Sequence, residues 1–235
     1  MPDSYADLSR YYDLVMTSGY YDYDRYARTL LDRVGDGRDL LELGVGTGLV
    51  CERLLELGPS DLRITGIDHT DSMLAQARER LDGQVRLLRD DVLDMSFPSA
   101  FDAAYSVGGV WYIVQDGNES WLSSHLLEEE DNLVGMANAA ASIKPGGSLL
   151  LSVQGPHRPH ERPLPGGLLY AQHVVVDDEG RYTKDYFIKR QEKVLAHQSL
   201  RFRLFPQKTA DRLLQQCGFV LRESDEVLWR YVRQQ

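Results

Sequence analysis

Apolar residues fall along this chain in two alternating rhythms. Short, almost continuously apolar runs at 39–43, 62–68, 85–88, 101–107 and 148–153 have the length and composition of strands buried on both faces. Between them, 49–57, 72–81 and 122–143 carry apolar positions three and four residues apart, the spacing of a helix with one face inward. Ahead of the first strand, Tyr23, Tyr26, Leu30 and Leu31 keep that spacing and predict a helix over 22–34. The punctuation agrees. Gly58-Pro59 closes one helix, Asp71 opens the next, and Lys144-Pro145-Gly146-Gly147 stops the long one. Apolar strands alternating with helices imply a doubly wound α/β fold, a mostly parallel sheet with helices on both faces.

The rhythm changes after Gly155. Residues 156–167 read as loop, and 168–176, 182–190 and 194–205 read as antiparallel strands joined by turns at 177–180 and 191–193. Leu200, Phe202 and Leu204 alternate with Arg201 and Arg203, the mark of a half-exposed strand. Those arginines either bind a carboxylate or face water. Residues 208–217 predict a helix ended by Gly218, and 219–223 and 227–232 return as the last strands of the main sheet. Four parts follow: an N-terminal helical lid (1–34), a ligand-binding core (35–155), an antiparallel cap or dimer insertion (156–206) and a C-terminal helix and strands (207–235).

Composition narrows the partners. The chain has 235 residues, 43% hydrophobic and 26% charged, and a formal net charge of −10. Nucleic-acid binding draws its affinity from Lys and Arg on phosphates, so this balance points away from DNA and RNA, and from an anionic membrane surface. The start, MPDSYADLSRYYD, lacks the basic and apolar regions of a secretory signal, and no apolar run reaches the roughly 20 residues that span a bilayer. A cytoplasmic location is the expectation. Cys51 and Cys217 sit in helical patterns as small core residues, and no metal site is expected.

The first strand runs into Gly44, Gly46 and Gly48 and then a helix. Glycines at such a turn let the backbone fold tightly and approach a ligand without a Cβ in the way. The dinucleotide fingerprint G-x-G-x-x-G fails here, because Leu49 stands at its last glycine. Glu42, two residues before Gly44, would repel a pyrophosphate and suits a cationic ligand. Asp68 closes the second strand, where an acid accepts both ribose hydroxyls. Asp91 follows the third strand, placed to accept from an adenine amino group. Ser106 lies at the tip of the fourth, beside the point where strand order reverses.

In order and spacing, the segments LLELGVGTG (40–48), ITGIDHTDSML (64–74), RDDVLD (89–94) and IKPGGSLLLSV (143–153) resemble the class I S-adenosylmethionine-dependent methyltransferases. The resemblance is strong over about 35–155. It implies a Rossmann-like methyltransferase fold, S-adenosylmethionine as cofactor and S-adenosylhomocysteine as product. It also implies Glu42, Gly44, Gly46 and Gly48 near the methionine end, Asp68 on the ribose, Asp91 on the adenine side and Ser106 as a backbone contact. Asp90 departs from the family, which often has glycine there.

Methyl transfer from a sulfonium is an in-line displacement from an activated donor, so positioning and water exclusion dominate and no strong catalytic signature is expected. The acceptor is expected to be a small molecule, methylated on nitrogen or oxygen. Tyr11-Tyr12-Asp13-Leu14 and Ser18-Gly19-Tyr20-Tyr21-Asp22 resemble the opening lid of small-molecule methyltransferases, including those that N-methylate amino sugars. A lid spanning Tyr5 to Tyr26 would bring Tyr12 and Tyr20 to the reaction and Tyr21 to the acceptor. Trp111 and Tyr112 are candidate walls of the acceptor pocket, against a plain core role. His157 is the candidate base, because histidine takes a proton near neutral pH. A non-catalytic adenosylmethionine-binding protein and a nucleotide-cofactor oxidoreductase are the rival readings.

Overall fold

The computed structural model describes residues 8–234. In chain order the elements are α1 (Ser9–Thr17), α2 (Tyr23–Val34), β1 (Asp39–Leu43), α3 (Leu49–Leu57), β2 (Arg63–Asp68), α4 (Asp71–Leu81) and β3 (Arg86–Arg89). Next come β4 (Phe101–Ser106), β5 (Trp111–Asp116), β6 (Glu119–Ser124), α5 (Glu129–Ser142), β7 (Ile143–Gln154) and β8 (His160–Leu164). The chain closes with β9 (Leu168–Val176), β10 (Arg181–Arg190), β11 (Lys193–Pro206), α6 (Gln207–Gln216), β12 (Phe219–Ser224) and β13 (Leu228–Arg233).

The sheet runs β3-β2-β1-β4-β7, all parallel, and β13 then pairs antiparallel with β7 and carries β12 on its far side. Adjacent residues of the buried strands feed opposite faces. Leu40 joins Leu30, Leu54 and Leu74 under α2, α3 and α4, whereas Leu41 joins Met136 and Leu213 under α5 and α6. Strand order reverses between β1 and β4, and ligand clefts of open α/β sheets form at the carboxyl ends of strands at such a point.

Two expectations need correction, and the antiparallel segment expected after Gly155 gains its place in the sheet. The helix expected over 122–143 begins only at Glu129, because residues 119–124 form β6, hairpinned to β5 through the two-residue loop Gly117-Asn118 with Gly117 at φ 60°. A Gly-Asn pair between such runs is a hairpin signal, and Leu122 points inward as a strand residue. Residues 156–167, expected as loop, contain β8, an edge strand on β9 in which Pro163 is tolerated because an edge position can lack an N–H. The segment after Gly155 is no detached insertion. β11 pairs with β6, and β5 pairs with the end of β7, so β8–β11 extend the sheet and curl over the cleft. Among the described residues, no helix is long and apolar enough to cross a membrane.

Candidate active site

Between β1 and α3 the backbone takes positive φ at Gly44 (80°), Gly46 (55°) and Gly48 (83°). At Gly44 the requirement is also steric: a Cβ would stand 3.0 Å from the Cα of Gly109, on the facing loop after β4. A Cβ on Gly109 would meet the Leu43 carbonyl oxygen at 2.3 Å, so the two loops pack backbone against backbone. The N–H groups of Gly44 and Val45 donate to the Ile67 carbonyl, at 3.0 and 2.9 Å. Asp68 then fixes the floor: one carboxylate oxygen accepts from Gly46 N and the other from Thr70 N, both at 2.9 Å.

The resulting cleft lies open to solvent between Gly44, Gly46, Asp68, His69, Gly108–Val110, Tyr12 and His125. It opens sideways into a compartment walled by Asp90, Asp91, Leu126 and Arg201. Asp91 also caps its own turn, accepting from Leu93 N at 3.0 Å, while Asp90 accepts from Asp91 N at 2.9 Å. Toward the cap, Tyr12, Gly108 and His125 continue as walls of an inner pocket, with Tyr20, Tyr21, Tyr112, Gln154, Lys184 and Phe202 deeper in.

Helix α1 crosses the cleft. Thr47 donates to Asp13 at 2.6 Å, and Arg80 pairs with Asp13 while donating to the Thr47 carbonyl at 2.9 Å, which ties α1 to the glycine loop. On its other side Arg162 of β8 donates to the Val15 carbonyl at 3.1 Å and stacks over Tyr20. Tyr12 stands over Gly46, and Tyr20 and Tyr21 line the inner pocket. Tyr5, the expected start of the lid, lies outside the described residues.

Residues 40–147 match the methyltransferase-domain family. Over 122 residues the chain is 29% identical to the cypemycin N-terminal methyltransferase of a Streptomyces species, covering 52% of this chain and 44% of that protein. The chain spans about half the length of the curated relatives it matches, from 44% to 61% for the first two. Among solved structures, Streptomyces venezuelae DesVI superposes with a TM-score of 0.74 at 19% identity, covering 97% of this chain and 98% of its own. The S-adenosylmethionine-bound amino pentose methyltransferase CalS10 of Micromonospora echinaspora gives 0.73 at 19%, covering 94% and 96%. At these identities the likeness is one of fold. The chain shares the fold of these solved proteins, and its residues 40–147 match the methyltransferase-domain family.

Within this domain several expected site residues stand elsewhere than their motifs suggest. Glu42 is 2% exposed and turns beneath the glycine loop, accepting from the Cys51 thiol at 2.9 Å and the Tyr105 hydroxyl at 3.1 Å. Ser106 is fully buried and accepts from Trp111 N at 3.3 Å, and the cleft is lined instead by Gly108–Val110. Trp111 is core: its indole N–H donates to Asn132 Oδ1 at 2.8 Å, with no face on the cleft. Tyr112 does reach the inner pocket, but His157 lies behind it, its Nε2 3.0 Å from the Tyr112 hydroxyl. His157 lines instead an adjoining groove with Gly155, Pro156 and Arg158, which shares Tyr20, Tyr21 and Gln154 with the inner pocket. Arg203 is spent on the Leu127 carbonyl at 2.8 Å and on the Phe205 ring, and Arg201 stays at the mouth of the side compartment.

The residue that the motifs missed is His125. It shares the cleft and the inner pocket, and its ring lies 4.2 Å from that of Phe202. Its N–H donates to the Val110 carbonyl at 3.1 Å. Asn132 fixes the segment around it, donating to the carbonyls of Leu126 and Glu128 at 2.8 and 2.7 Å while accepting from Ser124 at 2.7 Å. Burial, with His69 and Lys184 adding to it, pushes the His125 imidazole down to about 3, so it is neutral at physiological pH. The signal available in the sequence was the Gly117-Asn118 turn, which makes 119–124 a strand and places His125 just past its end.

Glu42 has a consequence for stability. Burial outweighs its two hydrogen bonds and raises its carboxyl to about 8. Between the ordinary value, about 4.3, and that raised one, the folded protein holds a proton that the unfolded chain has lost. Stability from this group therefore falls as pH rises through that window, by at most about 1.4 kcal/mol per unit. Glu42→Gln keeps the shape of the neutral acid and removes the slope. In urea unfolding the variant is expected to gain on the parent from pH 5 to pH 8, by on the order of 1 kcal/mol per unit. A stability difference that stays constant across this range would show that Glu42 ionises normally.

Proposed function

We propose that this chain is an S-adenosylmethionine-dependent methyltransferase that methylates a nitrogen of a small molecule, an amino sugar or another natural-product intermediate. The observation that carries this reading is the junction of two cavities. Tyr12, Gly108 and His125 belong both to the cleft and to the inner pocket, so a donor in one and an acceptor in the other meet beside them. The cleft fits the cofactor in kind: glycines allow close approach at the switch point, and acids stand at the tips of β2 and β3. Asp68 would hold the ribose hydroxyls, Asp91 the adenine amino group, and the backbone of Gly44, Gly46 and Gly108–Val110 the methionine part. Gly48 shapes the loop as the left-handed residue that starts α3. Bound there, S-adenosylmethionine supplies a methyl group already activated on a sulfonium.

The chain's own task is then orientation. His125, as a neutral imidazole, accepts a hydrogen from the acceptor nitrogen and aims its lone pair into the cleft. Tyr12 covers the glycine loop, and the aromatic walls of the inner pocket keep water from the junction. The choice of nitrogen draws on the sugar N-methyltransferase KedS8 of Streptoalloteichus, named for that atom, and on the cypemycin N-terminal methyltransferase, named for a chain end that carries an amine. The test combines calorimetry with S-adenosylmethionine, S-adenosylhomocysteine and NAD, and methyl-transfer assays on amino sugars, peptides with free N-termini and matched hydroxyl compounds. Binding of both adenosyl compounds but not NAD, with transfer to at least one amine, is expected. Binding of NAD alone overturns the cofactor reading. Cofactor binding with no transfer to any amine or hydroxyl overturns the enzymatic one.

A further inference from the structure

Strand β10 alternates strictly: Tyr182, Lys184, Tyr186 and Ile188 all point inward. Three of these four suit a core. Lys184 does not, yet it is only 2% exposed, and lysine is almost never buried without a partner. Its Nζ lies 5.2 Å from the Phe202 ring centroid, 5.8 Å from that of Tyr186 and 5.9 Å from that of Tyr182. No salt bridge and no hydrogen bond satisfies it among the described residues. Burial alone drives its amine well below the ordinary lysine range. The side chain lines the inner pocket beyond His125 and Tyr12. A second donor in the same pocket is equally unsatisfied: Gln154 Nε2, at the end of β7, is buried without a partner.

Two orphaned nitrogen donors facing one pocket lack a group that brings acceptor oxygens. Most buried polar atoms are paired, and a lysine amine and an amide donor left unpaired in one pocket point to a ligand that brings acceptors. A lysine amine over three rings, with no carboxylate of its own, is favoured as the ammonium only when a negative charge joins it. We infer that Lys184, assisted by Gln154, binds a carboxylate on the methyl acceptor and thereby selects acceptors that carry one. This rests on the reading of the inner pocket as the acceptor site. Lys184 acts as a specificity residue: it grips the far end of the acceptor while the nitrogen meets His125.

The test uses the whole chain loaded with S-adenosylhomocysteine and titrated by calorimetry with acetate, benzoate, acetamide, benzamide and inorganic phosphate. At least one carboxylate is expected to bind about tenfold or more tightly than its amide, the usual scale for a charge-assisted pair in a dry site. Lys184→Met is expected to lose that preference while keeping its S-adenosylhomocysteine affinity within about twofold, since Lys184 is not part of the cleft. It should also melt a few degrees higher, because an unpaired buried amine gives way to a well-packed apolar chain. Lys184→Gln, which keeps a donor without the charge, should retain the amide and lose the carboxylate. Equal binding of carboxylate and amide, no carboxylate binding, a preference for phosphate, or an unchanged preference in Lys184→Met overturns the proposal. Loss of these effects with S-adenosylhomocysteine still bound removes this inference alone. Failure of S-adenosylhomocysteine to bind removes the reading of the cleft and this inference with it.

Discussion

Asp68→Ala is expected to weaken the binding of S-adenosylmethionine and S-adenosylhomocysteine by about two to three orders of magnitude while leaving the fold intact. Charge-assisted hydrogen bonds contribute about 1.5–3 kcal/mol each, and in the proposed site two ribose hydroxyls share this carboxylate. A factor of ten corresponds to about 1.4 kcal/mol. The same carboxylate anchors Gly46 N and Thr70 N, so the alanine variant also loosens the glycine loop. Asp68→Asn separates the two contributions. It keeps one acceptor oxygen for the loop and loses the charge, and a loss of about tenfold is expected. Calorimetry on both variants, with circular dichroism to verify folding, decides the matter. Unchanged affinity in a folded Asp68→Ala protein means that the ribose lies elsewhere.

His125→Ala is expected to lower kcat by about 10²–10³ with cofactor affinity changed only a few fold. A misplacement of about 1 Å at the reacting atoms costs roughly 10² in rate, and removing the ring leaves the acceptor nitrogen without its orienting partner. Because burial holds His125 near 3, its loss should remove no rate step near pH 6.5, where an exposed histidine would titrate. His157 provides the contrast. It is also held down, to about 2, but it sits behind Tyr112 and outside both cavities of the proposed reaction. His157→Ala should therefore change kcat by less than about tenfold. Steady-state kinetics of the two variants, with any acceptor found, tests the order. If His157→Ala costs more than His125→Ala, the acceptor approaches through the outer groove.

The core of this protein was legible along the chain because its signals are local. β1, β2 and β4 are continuous apolar runs, α3 and α4 follow them at helical spacing, and the glycines sit where a tight strand-to-helix turn needs them. Each of these depends on residues within about ten positions of one another, so pattern alone suffices. The acid at the tip of β2 was readable for the same reason: a strand's end fixes the place of its last side chain.

What lay beyond the sequence depends on contacts between distant residues. Whether Glu42 faces ligand or interior is decided by Cys51 and Tyr105, which lie on other elements and draw its carboxyl beneath the loop. Whether Trp111 lines a pocket is decided by Asn132, which takes its N–H into the core. In sequence His125 falls within the helix expected over 122–143, and His157 in a stretch expected as loop. Only the pairing of β11 with β6, and of β5 with β7, puts the first at the junction of the cavities and the second behind Tyr112. Lys184 is the sharpest case. A lysine in an alternating strand reads as an outward residue, and it turns inward because the register of β10 between β9 and β11 sets the side for every second position at once. The sequence by itself determined the parallel strands and the glycine turn at the cleft, where structure follows from short-range turn geometry. The acceptor half was decided by tertiary structure, because its pocket is assembled from α1, β5, β7, β10 and β11, whose side chains meet only after the sheet has curled over the cleft.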